Sequence, residues 1–266
     1  MRDLKGKVII LTGASSGIGR ATALALARHG AVLHLVARRE ALLEQVCADA
    51  RARGGSATPH VFDVRDPDAF ARMVEQITAQ HSRVDVLINN AGVGAMKSFL
   101  ETTDDDWKWT VDTNLHSVIN SIRAVLPGML ERGEGTIVNV ASLAGLMANT
   151  LAAYSASKAA VIGLSESLVL EYGDRGIDIV VVCPGIIDTD IANAGILAGR
   201  AAESVGQNLQ KVLSTHGARP EAVARDIVAA IRRPRFLILS PAHATVLRTL
   251  HSMFPGLTRS LVRRLS

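Results

Sequence analysis

Cysteine is nearly absent from this 266-residue chain: there are two, Cys47 and Cys183, far apart in sequence. Two distant thiols build no disulfide framework, which suits a reducing, intracellular setting. Long apolar runs are missing too. The first run, Val8 to Leu11, is too short for the core of a secretory signal and leads straight into a glycine turn. No stretch reaches the roughly 20 apolar residues of a membrane span, so a cytoplasmic protein is expected. Blocks of like charge, low-complexity tracts and fixed-period repeats are also lacking, which excludes a disordered or solenoid chain. The eight histidines show no metal-ligand spacing, and no metal site is expected. The net charge is only +4. Few aromatics interleave with the arginines of the last third, so nucleic-acid binding is not expected.

What is present is a regular alternation of short β-branched runs with longer helical stretches, the pattern of βαβ units. Strands are expected at Val8–Leu11, Val32–Ala37, Thr58–Phe62, Val84–Ile88, Thr136–Val140, Ile179–Cys183 and Phe236–Leu239. Helices are expected at Gly17–His29, Arg39–Arg53, Pro67–Gln80, Asp105–Glu131, Ala153–Asp174 and Glu221–Arg232. The strand runs are nearly continuous in Val, Ile and Leu, as in sheets buried on both faces. The reading is an α/β fold: a single-domain, Rossmann-type, doubly wound sheet of seven parallel strands over residues 1–241. An amphipathic extension follows over residues 242–266.

Directly after the first strand comes Thr12-Gly13-Ala14-Ser15-Ser16-Gly17-Ile18-Gly19, which opens the first helix. Glycine permits the tight turn and a close approach of backbone to a pyrophosphate, and the helix N-terminus offers unpaired amides. Gly13, Ser15, Ser16, Gly17, Ile18 and Gly19 are therefore candidate cofactor-binding residues. The second strand ends Val36-Ala37-Arg38-Arg39, with no acid to hold a ribose diol. An arginine at Arg38 can clasp a 2′-phosphate through its planar fork, which favours NADP(H). Arg39 reads as a solvated helix-start residue. Asp63-Val64 and Asn89-Asn90-Ala91-Gly92 lie at strand carboxyl ends, where open sheets bind ligands.

Tyr154 and Lys158 stand four apart, on one face of a helix. Reducing a carbonyl needs a proton donor, and a tyrosine serves when a nearby ammonium pulls its pKa down from ~10. Ser142, at the end of the fifth strand, is placed to hydrogen-bond a carbonyl oxygen. Asn114 is a polar residue inside the long fourth helix, where that helix could kink or hold water. Cys183, in the last buried strand, reads as inert packing. Trp107 and Trp109 read as packing anchors.

With these motifs in this order, residues 5 to 240 resemble the short-chain dehydrogenase/reductase family, in its smaller subgroup. The resemblance implies an oxidoreductase that interconverts a carbonyl and a secondary alcohol. Tyr154 would be the general acid/base, and Lys158 would lower its pKa and bind the nicotinamide ribose. Ser142 would orient the substrate oxygen, and Asn114 would keep a water in a proton relay. Asp63 would contact the adenine, and Asn89 to Gly92 (Asn90, Ala91 and Gly92 among them) would line the adenosine side. Pro184, Gly185, Ile187 and Thr189 would border the nicotinamide. It further implies a homodimer or homotetramer. Two other readings remain: a dinucleotide-sensing regulatory protein without turnover, and a nucleotide-sugar epimerase or dehydratase, for whose larger substrate domain there is no room.

Two regions depart from the βαβ rhythm. Gly185 to Gly217 is long for a loop and reads as a lid. Its Ile186, Ile187, Ile191, Ile196 and Leu197 favour a hydrophobic substrate. In the extension, Val246, Leu247, Leu250, Phe254, Leu257, Leu261 and Val262 approximate a helical stripe broken at Pro255-Gly256, with Arg248, Arg259, Arg263 and Arg264 beside it. It is read either as a helix packed on the core or on a partner subunit, or as a basic segment resting peripherally on an anionic membrane.

Overall fold

The computed structural model describes residues 2–94, 97–147, 149–188 and 217–265. Its strands are β1 (Val8–Thr12), β2 (Val32–Ala37), β3 (Ser56–Val61), β4 (Val86–Asn89), β5 (Gly135–Val140), β6 (Ile177–Pro184) and β7 (Leu237–Ser240). They form one parallel sheet in the order β3-β2-β1-β4-β5-β6-β7. The order reverses between β1 and β4, and at that switch point a crevice opens above the strand carboxyl ends.

The helices are α1 (Gly17–Ala27), α2 (Glu40–Arg51), α3 (Pro67–His81), α4 (Asp104–Val111), α5 (Ser117–Arg132), α6 (Ala152–Tyr172), α7 (Pro220–Arg232), α8 (Ala242–Met253) and α9 (Pro255–Leu265). Alternation along each strand sends residues to two cores. Ile9 and Leu11 of β1 join Val180 and Val182 of β6 under α1, α2 and α7, around Leu26, Val46 and Ile227. Val8 and Ile10 of β1 join Ile179 and Val181 of β6 under α3, α5 and α6, around Phe70, Ile122 and Val161. Each such side chain, fully buried, contributes roughly 1.5–3 kcal/mol. The central strands β1 and β4 are buried throughout. β3 lies at an edge, is largely uncovered, and accommodates Pro59, which has no amide to give to a ladder.

Element ends follow local chemistry. Asp66 caps α3 by accepting from the Ala69 amide at 3.0 Å, with Pro67 in the first turn. Thr103 and Asp106 form a reciprocal capping box on α4. One expectation is corrected here: the helix anticipated over Asp105–Glu131 is not continuous. α4 gives way to one π turn, Asp112–His116, before α5 resumes. The turn holds Asn114, whose amide is bonded inward rather than to solvent. An extra residue in the helical turn is what allows this. Among the described residues, no helix is long and apolar enough to cross a membrane.

Candidate active site

The phosphate end is built from main chain. Thr12 Oγ1, at the tip of β1, accepts from the amides of Asn90 and Ala91, each at 3.0 Å. Asn90 Nδ2 returns bonds to the carbonyls of Thr12 (2.9 Å) and Gly13 (3.2 Å). The two loops above β1 and β4 are thereby locked together, and no room remains between them. A Cβ on Gly13, which has φ +67°, would stand 2.8 Å from Ala91 Cα; one on Gly19 would stand 2.1 Å from the Gly13 carbonyl oxygen. Ser16 precedes α1 without a side-chain cap. The first-turn amides of Gly17, Ile18 and Gly19 are therefore free to bind an anion at the dipole's positive end. This glycine cradle fits the pyrophosphate of a dinucleotide.

Arg39 is exposed at the start of α2, as expected, but it is not without partners. Its guanidinium donates to Ser15 Oγ at 3.0 Å and 3.3 Å and to Ser16 Oγ at 2.6 Å. Arg38, half exposed, lies 3.7 Å from the Asp63 carboxylate. Asp63 is held more firmly by Arg65, at 2.8 Å and 3.1 Å, and accepts from the Arg65 amide as well. Those bonds keep the Asp63 carboxyl below the usual range.

The chemical end is built from side chains. Ser142, just past β5, sits at the start of a short 3-10 turn, and its Oγ accepts from the Ala144 amide at 3.1 Å. Tyr154 and Lys158 share one face of α6. Lys158 Nζ lies 5.9 Å from the centre of the Tyr154 ring and donates to the Val140 carbonyl at 3.0 Å. Gly92 leaves space for that ammonium, since a Cβ there would be 3.2 Å from Nζ.

Asn114 is fully buried behind this wall. It accepts from the Val93 amide (2.8 Å) and donates to the Val93 carbonyl (2.8 Å) and to Ser157 Oγ (2.9 Å). It thus ties the loop after β4 to α6. Asn89 does not line the cleft either: it bonds Asn139 (2.9 Å) and Ser121 (2.7 Å) beneath it.

One cleft of about 800 Å3 collects both ends. It is lined by Gly13, Ser15 through Gly19, Arg38, Asp63, Val64, Asn90 through Gly92, Ser142, Tyr154, Lys158, Pro184, Gly185 and Ile187. Thr189 and most of the anticipated Gly185–Gly217 lid lie outside the described residues.

The sequence profile of the short-chain dehydrogenase family matches residues 7–196. The chain belongs to this family. It is 36% identical over 264 residues to "Probable oxidoreductase EphD" of Mycobacterium tuberculosis, an alignment covering 96% of this chain. The chain spans only 44% of that relative's length. A short-chain dehydrogenase/reductase of Burkholderia phymatum, solved in complex with NAD, superposes with a TM-score of 0.89 at 29% identity, covering 97% of each chain. A metagenomic short-chain oxidoreductase solved in complex with NADP gives a TM-score of 0.73 at 30% identity, covering 90% of this chain and 97% of the other.

Electrostatics in this short-chain dehydrogenase differ from the sequence expectation at one point. Burial pushes the Tyr154 phenol above its ordinary value, with the Ser142 hydroxyl acting the other way. The Lys158 ammonium is turned to the Val140 carbonyl and is itself desolvated. Burial lowers Lys158 to about 8. The Cys183 thiol, packed behind the pair, is pushed up to about 12 and stays neutral.

Several site residues carried no signal in the sequence. Asn149 accepts from the Leu151 amide (2.8 Å) and from Ser155 Oγ (2.7 Å), fixing the loop that joins Ser142 to α6. Leu143, Met147 and Leu151 line the cleft between Ser142 and Tyr154, giving it an apolar wall. Only their place between the two polar residues could have pointed to them.

Proposed function

We propose that this chain is an NADP(H)-dependent oxidoreductase acting on CH–OH groups, interconverting a hydrophobic carbonyl and its secondary alcohol. The observation that carries this reading is the shared cleft: a glycine cradle at one end, Ser142, Tyr154 and Lys158 at the other, and an apolar wall beside them. The reading includes a homo-oligomer and a C-terminal arm in contact with a membrane.

The cradle amides at Gly17 to Gly19 would hold the pyrophosphate, and Lys158 the nicotinamide ribose. Solved relatives carry either NAD or NADP, so the preference rests on this chain's own residues. β2 ends in Ala37 with no acid, and Arg38 and Arg39 line the cleft beside Ser15 and Ser16. Two guanidinium groups and two hydroxyls suit a 2′-phosphate far better than a ribose diol.

A nicotinamide held there by Lys158 would supply the hydride chemistry at the carbonyl carbon, in either direction. Ser142 donates to the carbonyl oxygen and sets its position. Tyr154, kept protonated by burial, transfers its phenolic proton to that oxygen as negative charge develops there. The Lys158 ammonium stabilises the phenolate left behind. Asn114 holds the loop and α6 in register through Val93 and Ser157, and in this reading serves the relay that reprotonates Tyr154. Pro184, Gly185 and Ile187 would border the nicotinamide, and Asp63 and Val64 the adenine.

The test is separate fluorescence titration with NADPH and NADH. NADPH is expected to bind at least about tenfold more tightly, with the difference abolished by Arg38→Ala together with Arg39→Ala. Equal affinities in the wild type would remove the NADP(H) preference.

A further inference from the structure

The helix α8 is turned the wrong way for a helix at a protein surface in water. α8 follows β7 and packs through Ala244, which is buried, and through the half-buried Leu247, Arg248 and His251. Its opposite face carries Val246, Leu250 and Met253, which are 59%, 45% and 64% exposed. Spacings of four and three put these three side chains on one stripe. Phe254 and Leu257 extend the exposed apolar surface past the Pro255 junction. A surface helix ordinarily shows water its polar face.

The charge of this region is equally one-sided. After Asp226 no Asp or Glu occurs up to Ser266, against seven arginines. Arg259 and Arg263, one turn apart on α9, are exposed. The arm is also joined to the active-site cleft. Its first helix starts at Ala242, two residues after Ser240, whose carbonyl accepts from the amide of Gly185 at 2.8 Å, and Gly185 is cleft wall.

We propose that α8 and α9 dock on an anionic lipid surface, with Val246, Leu250, Met253 and Leu257 in the headgroup–acyl boundary and Arg259 and Arg263 on lipid phosphates. Apolar area and unopposed positive charge on one short arm are what such a surface recognises. A second copy of the chain fits less well. A two-fold contact through this face would bring the arginines of both arms together, with no acid in either arm to pair them. The further consequence, that the carbonyl substrate partitions into the membrane and enters from it, rests on the reductase reading above.

The experiment uses the full chain and vesicles of phosphatidylcholine alone or with about 30 mol % phosphatidylglycerol. Sedimentation with vesicles, oligomeric mass by light scattering, and NADPH-dependent turnover of a water-soluble ketone are measured together. Binding is expected to be at least about tenfold tighter to the anionic vesicles and to weaken in about 0.5 M salt. Met253→Glu with Leu257→Glu, and separately Arg259→Glu with Arg263→Glu, should each weaken it at least about tenfold while leaving mass and ketone turnover unchanged. Equal sedimentation with and without anionic lipid overturns the proposal. So does a fall in oligomeric mass in these variants with vesicle binding intact, which gives the face to a second copy. Vesicle binding without ketone turnover upholds the docking and strikes only the reductase reading.

Discussion

At the phosphate end of the cleft the working groups are amides and carbonyls. Gly13 and Gly19 matter for what they lack, and the side chains of Thr12 and Asn90 serve to hold two loops together. At the chemical end the working groups are side chains on a long helix, Tyr154 and Lys158, faced by Ser142 and braced from behind by Asn114. The difference predicts opposite sensitivities. The first end fails when a single carbon is added to the backbone; the second fails when a single oxygen or nitrogen is removed from a side chain. Adding carbon should lower cofactor affinity, whereas removing oxygen should leave it intact and stop the reaction.

The largest effect expected at the backbone end is that of Gly19→Ala. The new Cβ would overlap the Gly13 carbonyl oxygen, and overpacking of this kind costs about 1–3 kcal/mol. Calorimetry should show NADPH affinity lower by roughly tenfold or more, with a lower melting temperature. Unchanged affinity would break the comparison at its first term.

At the side-chain end, pH is the probe. Lys158 is charged below about 8 and neutral above it. Tyr154, its phenol raised by burial, keeps its proton over the same range. Carbonyl reduction should therefore hold steady around neutrality and fall as pH rises through about 8, by up to about tenfold per unit. A rate that stays level until the tyrosine itself ionises would show that the Lys158 charge is not used.

A smaller effect sharpens the adenosine side. Arg65→Ala frees the Asp63 carboxylate to take Arg38, now 3.7 Å away. NADPH affinity should fall about twofold to fivefold, a small change because these groups are solvent-screened. NADH affinity should not change, and adding Asp63→Asn should restore the loss. Equal weakening of both cofactors would place the effect on the adenine rather than on the 2′-phosphate.

Much of this was legible in the amino-acid sequence, and the limits have physical causes. The cradle was readable because only glycine meets its backbone requirement, and the Tyr154–Lys158 pair because helical spacing puts both on one face. The doubly wound parallel sheet followed from the βαβ rhythm, whereas its strand order came only with the structure. That the helix could kink at Asn114 was readable; that it does so as a π turn was not, since what draws that side chain inward is the main chain of Val93, which is remote in sequence. Arg39 was rightly placed as an exposed helix-start residue, but its bonds were missed for the same reason. Its partners Ser15 and Ser16 belong to a different loop, brought near only when β1 and β2 pair. The phenol of Tyr154 was expected to be lowered. Spacing shows that a lysine is close, but not that its ammonium points to Val140 or that both groups are desolvated. In the tail the break at Pro255 was evident, whereas the outward turn of the apolar face depends on how α8 meets β7.

The most direct test of the central claim compares wild-type protein with Tyr154→Phe, titrating each with NADPH and then measuring turnover on a panel of hydrophobic ketones. The account predicts equal NADPH affinities and a turnover lower by about 10²–10⁴-fold in the variant. Full turnover without the phenol would contradict the role of Tyr154. Wild-type protein that binds NADPH and reduces nothing would instead be a dinucleotide sensor.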